Sequence, residues 1–151
     1  MDNENLKAKV LTISPDAEVT EGHQYLTVTV PSEKLHELAK ELKDDSDTAF
    51  NYLFCLSGVD YGVSLAVVYH LESVKYRHSI VLKVMIANRE TAEVPSVCDI
   101  WNAAEYHENE VYDLLGIKFS NHPDLRRFFL DESWGYPLRK DFKDDVNIIE
   151  K

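Results

Sequence analysis

Two runs rich in Val, Ile and Leu, Leu65 to Leu71 and His78 to Ala87, are separated by the short polar stretch Glu72 to Arg77. Branched side chains pack well on a pleated surface, so two such runs joined by polar residues form an antiparallel hairpin. In the second run Ile80, Leu82, Val84 and Ile86 share one face. A hairpin is marginal alone, so that face needs further strands and a cover of helices.

The flanking sequence offers both. From His23 to Val30, Leu26, Val28 and Val30 alternate with Tyr25, Thr27 and Thr29, the pattern of a half-buried strand that Pro31 ends. Leu35, Leu38, Ala39 and Leu42 then repeat at helical spacing, with Ser32 the expected N-cap and the acidic run from Asp44 to Asp47 at the far end. Ala49 to Val59 reads as a strand running into a turn at Gly58 to Gly62. A second helical region is expected from Pro95-Ser96, with Ser96 as N-cap and Asp99 in a capping box. Val97, Ile100, Trp101 and Ala104 would face inward, and Gly116 would close the helix as its C′ residue. Leu6, Val10 and Ile13 suggest a short helix near the start. The order implies an α+β fold, a mixed sheet of about four or five strands with helices packed on one face.

Charge narrows the functions open to such a domain. With 16 Lys and Arg against 27 Asp and Glu, the net charge of −11 repels phosphate backbones and argues against general nucleic-acid binding. No apolar run approaches the ~20 residues that span a bilayer, and the acidic, polar start has neither signal-peptide nor transit-peptide character. The chain is therefore expected to stay in the compartment where it is made. Cys55 and Cys98, without a C-x-x-C partner, read as buried inert thiols.

Candidate chemistry is sparse. Glu105, Glu108, Glu110 and Asp113 lie in one helix, and carboxylates at this spacing can serve acid–base or metal chemistry. One cluster without Glu-x-x-His repeats on two helices reads instead as a solvated or interface-paired face. The six histidines show no zinc spacing, and the five glycines form no phosphate-binding loop.

The last stretch differs from the rest. From Ile117 to Lys151 no helical or strand period is sustained, yet the segment carries Phe119, Leu125, Phe128, Phe129, Leu130, Trp134, Tyr136, Leu138 and Phe142. Between His122 and Lys143 the net charge is +1, against −12 for the remainder. Arginines interleaved with aromatics are typical of interfaces, where a guanidinium makes paired hydrogen bonds while its plane stacks on apolar surface. The division expected is an α+β part, residues 1–116, and an irregular docking segment, residues 117–151, within a single domain.

Three blocks in this region carry a resemblance. Ala103-Ala-Glu-Tyr-His-Glu-Asn-Glu-Val-Tyr-Asp-Leu-Leu-Gly-Ile-Lys-Phe119, His122-Pro-Asp-Leu-Arg-Arg127 and Trp134-Gly-Tyr-Pro-Leu-Arg-Lys-Asp-Phe142 closely resemble the signature of the C subunit, the 30 kDa subunit, of NADH-quinone oxidoreductase, respiratory complex I. The resemblance implies a non-catalytic scaffold in the peripheral arm, holding no cofactor itself, while other subunits of the complex use NAD(H), FMN, iron–sulfur clusters and quinone. It implies docking on the D and B subunits, on the cytoplasmic side of the bacterial inner membrane, without insertion. The docking residues it implies are His122, Pro123, Asp124, Leu125, Arg126, Arg127, Trp134, Pro137, Leu138, Arg139, Lys140 and Asp141, supported by Glu105, Glu108, Glu110 and Asp113. Arg126, Arg127 or Arg139 would pair with that acidic helix. Two departures stand out: Asn109 replaces the Arg of a usual Glu-Arg-Glu, and Leu115 a usual Phe. The chain ends soon after the signature, so the contacts of longer C-terminal extensions are expected to be missing. Equivalent subunits of membrane-bound hydrogenases or of ferredoxin- or F420-dependent dehydrogenases, and a soluble adaptor, remain alternatives.

Overall fold

The computed structural model describes residues 3–21, 25–87, 91–123 and 125. Helix α1 (Asn3–Ile13) leads into β1 (Glu18–Glu21) and β2 (Leu26–Val30), and α2 (Ser32–Asp44) crosses to β3 (Tyr52–Asp60). The hairpin of β4 (Leu65–Ser73) and β5 (His78–Ile86) follows, then β6 (Glu93–Pro95), α3 (Ala104–Leu115) and β7 (Lys118–Ser120).

Five strands make one mixed sheet in the order β1-β2-β5-β4-β3, in which β5 runs parallel to β2 and antiparallel to β4. Register explains the core. Val28 faces Leu82, which faces Tyr69, which faces Leu56, and all four are buried. Side chains alternate faces along a strand, so each matched row lies on the same side of the sheet. Leu35, Leu38, Ala39 and Leu42 of α2 are buried in the same core, as are Leu6 and Val10 of α1.

The expected hairpin, the alternation in β2, the helix at Leu35 to Leu42 and the mixed α+β architecture are all present. Several local expectations need correction. Ser32 does not cap α2; it is the first helical residue, Pro31 occupies the cap position, and the Ser32 hydroxyl donates to Glu33 at 3.4 Å. The second helix starts at Ala104, not after Ser96, because residues 97–101 form tight turns in which Ile100 and Trp101 N–H both donate to the Val97 carbonyl. Ser96 is committed to another partner, and Asp99 forms no capping box but meets His36 at 2.8 Å on the surface. The inward set Val97, Ile100, Trp101 and Ala104 is nonetheless buried. The start of the irregular segment is also ordered: β7 carries buried Phe119 and pairs with β6, and Ile117 is fully buried. Three-residue strands are too short to show a period, which is why β6 and β7 escape sequence inspection. Gly116 closes α3 in the left-handed region (φ 75°), as a C′ glycine should.

Candidate functional site

Strands β6 and β7 run parallel, with α3 as the connection between them. Parallel pairing brings their carboxyl ends side by side, so the loop leaving β6 at Ser96 and the loop leaving β7 at Asn121 start from the same corner. The Ser96 N–H donates to the Ser120 carbonyl at 2.8 Å and extends the ladder into that corner. Two bonds anchor the β6–α3 turn to the sheet half: Trp101 Nε1 donates to the Phe50 carbonyl at 3.0 Å and Lys43 Nζ to the Ile100 carbonyl at 2.6 Å.

Glu108 sits at the centre of the corner. Ala104, Glu108, Val111 and Leu115 fall on one stripe of α3, and all are buried. The stripe packs against β3 so closely that a Cβ on Gly58 would overlap Leu115 Cδ1 and lie 3.0 Å from Val111 Cγ1. Glu108 is therefore carried into an apolar contact by its helix, and its carboxylate is satisfied locally. It accepts from the Ser96 hydroxyl at 2.6 Å, the Cys98 thiol at 3.2 Å and the Val97 N–H at 3.3 Å. Burial pushes the Glu108 carboxyl above the usual carboxylate range, opposed by the Ser96 and Cys98 hydrogen bonds and by the charge of His122. The Cys98 thiol is pushed up to about 12, first by burial and further by the neighbouring Glu108 charge.

The acidic helix is thus not the uniformly solvated or interface-paired face expected from spacing. Glu108 and Asp113 are fully buried, Glu110 is half-buried and Glu105 is exposed. Cys55 and Cys98 are half-buried rather than buried. His122 arrives from the end of β7, its Nε2–H donating to the Glu105 carbonyl at 3.1 Å. Donor atoms of Cys98, Glu108 and His122 all lie within 4.8 Å of one another. Of the remaining docking residues, Pro123 is exposed and Leu125 packs partly buried against the core. Asp124, Arg126, Arg127, Trp134, Pro137, Leu138, Arg139, Lys140 and Asp141 lie outside the described residues, and with them any pairing between those arginines and α3.

Sequence reasoning missed the Ser96–Cys98–Glu108 network. The available signal was Glu108 itself, a carboxylate inside the apolar stripe Ala104, Val111 and Leu115.

A depression lined by His36, Pro95, Ser96, Asp99 and Asn121 opens beside the corner. It contains Ser, His and Asp, but the Ser96 hydroxyl donates to Glu108 and the His36 ring nitrogen that is hydrogen-bonded faces Asp99, so these residues form no nucleophile–base relay. Among the described residues no helix is long and apolar enough to cross a membrane.

The family model described as "Respiratory-chain NADH dehydrogenase, 30 Kd subunit" matches residues 28–146. Among relatives, the fused C/D subunit of NADH-quinone oxidoreductase from Phocaeicola vulgatus is 48% identical over 124 residues, covering 81% of this chain and 24% of the relative. The separate C subunit of the Moorella thermoacetica enzyme is 41% identical over 143 residues, covering 93% and 95%. The chain therefore spans about a quarter of the fused relative and nearly all of the separate one. Two solved structures share the fold. The membrane-bound sulfane sulfur reductase, an archaeal respiratory membrane complex, aligns with a TM-score of 0.80 at 26% identity, covering 95% of this chain and 86% of the matched one. Nqo5, solved as a trypsin-resistant fragment, aligns with a TM-score of 0.69 at 29% identity, covering 83% and 100%. With a match that runs from β2 through α3 and β7 into the segment beyond His122, the chain belongs to the 30 kDa subunit family of respiratory-chain NADH dehydrogenases.

Proposed function

We propose that this chain is a scaffold subunit of the peripheral arm of an NADH-quinone oxidoreductase, and that it helps assemble the module passing electrons from NADH through iron–sulfur clusters to quinone. The observation that carries the reading is the continuity of the family match through residues 28–146, which includes the Arg- and aromatic-rich blocks His122 to Arg127 and Trp134 to Phe142. The sheet half supplies a folded body, and the β6–α3–β7 corner launches the docking segment from His122. Relatives named as C/D fusions support the D subunit as the nearest partner, since fusion keeps two chains that must meet in one polypeptide. The B subunit is the second expected partner. The chain by itself turns over neither NADH nor quinone; NAD(H), FMN, iron–sulfur clusters and quinone belong to other subunits. Its place is peripheral, on the cytoplasmic side of the membrane.

A second reading is favoured by the alignment with the sulfane sulfur reductase complex: an equivalent subunit in a related membrane-bound complex with a different donor or acceptor.

One preparation separates the two. The tagged chain is extracted from membranes in mild detergent, co-purifying subunits are identified by mass spectrometry, and quinone reduction is assayed with NADH and with reduced ferredoxin. Cluster-bearing and membrane subunits together with NADH-driven activity are expected. Quinone reduction only with reduced ferredoxin moves the chain to the second reading, and recovery of the chain alone from the soluble fraction removes both.

A further inference from the structure

Three donors of different chemistry meet at the corner: the Cys98 sulfur, the Glu108 carboxylate and a His122 ring nitrogen, all within 4.8 Å of one another. They come from three separate segments: the turn after β6, the buried stripe of α3 and the loop after β7. A tetrahedral ion with bonds of about 2.0–2.3 Å spaces its donors roughly 3.5 Å apart. The Cys98 Sγ to Glu108 Oε1 distance of 3.2 Å is close to that spacing, and the outer limit of 4.8 Å needs only side-chain adjustment.

Two further observations point to a ligand. The Tyr69 hydroxyl is fully buried, has no hydrogen-bond partner among the described residues and is electrostatically coupled to Glu108 and Cys98. A buried hydroxyl without a partner costs free energy unless something polar fills the space beside it. The second observation concerns His122. Metal-bound histidines characteristically donate their other ring N–H to a carbonyl or carboxylate, which fixes the tautomer. Here the His122 Nε2–H donates to the Glu105 carbonyl at 3.1 Å.

We propose that Cys98, Glu108 and His122 bind a single divalent transition-metal ion of the zinc class, fastening the start of the 122–142 segment to α3. Sulfur, nitrogen and oxygen donors together suit a borderline-soft ion better than calcium or magnesium, which take oxygen alone. On binding, the Cys98 thiol releases its proton to solvent, and the Sγ–H bond to Glu108 is replaced by coordination of both atoms to the ion. The ion carries no redox change in this role. The inference does not depend on assembly into a larger complex, because all three donors belong to this chain.

The test uses the full chain, freed of metal with a chelator and titrated with Co2+, whose thiolate charge-transfer absorbance reports sulfur coordination directly. One equivalent of Co2+ is expected to saturate the band, and Zn2+ to bleach it. Cys98→Ser abolishes the band and Cys55→Ser leaves it intact. His122→Ala, at a half-buried loop position, weakens Co2+ binding at least ~10-fold. Circular dichroism confirms that each variant is folded. No band from the folded wild-type chain, a band that survives Cys98→Ser, or unchanged affinity in His122→Ala each overturns the site and leaves a hydrogen-bond network only.

Discussion

The five-stranded sheet with α1 and α2 is held by matched apolar rows, whereas the β6–α3–β7 corner adds to its apolar packing a buried polar network around Glu108. In the sheet half, Val28, Leu82, Tyr69 and Leu56 lie across four strands in one row, and what matters there is volume. In the corner, a carboxylate with no solvent exposure is kept in place by Ser96, Val97 and Cys98, and what matters is that each donor finds its acceptor. The sheet half thus provides bulk stability, and the corner fixes the position of His122 through polar contacts.

The largest break in that comparison comes from the sheet centre. Leu82→Ala on β5, with neighbours paired on both sides, should cost about 2–5 kcal/mol, because the removed methyl groups leave a cavity the sheet cannot close. Urea unfolding should show the midpoint fall in one cooperative transition that includes the corner. A biphasic curve would mean that the two regions unfold separately.

The contact joining the regions comes next. Gly58→Val places new carbon where Leu115 Cδ1 already sits, and overpacking of this kind costs about 1–3 kcal/mol. If the clash is the cause, adding Leu115→Ala to Gly58→Val should cost less than Leu115→Ala costs in the wild-type background. A double-mutant cycle measures this coupling, and simple additivity would place the strain elsewhere.

Glu108→Ala sharpens the contrast in kind. It leaves the Ser96 hydroxyl and the Val97 N–H without their acceptor, a loss of about 1–3 kcal/mol, and adds the cost of the cavity left by the truncated side chain. Glu108→Gln, which keeps one carbonyl acceptor, should recover part of it by thermal denaturation. Equal losses for both variants would show that charge, not hydrogen bonding, matters at this position.

The same contrast explains what could be read from the residues alone. The hairpin, β2 and α2 are legible because alternation at Leu26, Val28 and Val30 and helical spacing at Leu35, Leu38 and Leu42 express burial directly. The corner is opaque for physical reasons. Ser96 has the chemistry of an N-cap and is used as a donor to a residue 12 positions away, and β6 and β7 are stabilised by pairing with each other rather than by any local preference. Glu105, Glu108, Glu110 and Asp113 look equivalent in sequence, and only the packing of α3 on β3 separates exposed Glu105 from buried Glu108. The docking role proposed for the segment from Asp124 onward rests on family resemblance, since its sequence sustains no helical or strand period.

The smallest effect concerns the outer face of the sheet, where no helix is needed and the half-buried rows carry titratable groups. His70 on β4 lies between the rings of Tyr25 and Phe54, with centroids 5.9 and 5.6 Å away, and burial lowers its pKa below the usual 6.5. The fold therefore favours neutral imidazole, while the unfolded chain takes up a proton near 6.5. The resulting stability is fully present above that pH and is lost as pH falls through the depressed folded value. His78, lowered chiefly by burial as well, acts in the same direction. Between about pH 7.5 and 5 the melting temperature should fall, and His70→Gln should remove roughly half of that slope while leaving stability above pH 7 nearly unchanged. A slope unaltered by His70→Gln would assign the acid sensitivity to His78 or to the carboxylates, and would make the outer face as indifferent to charge as the inner face is dependent on volume.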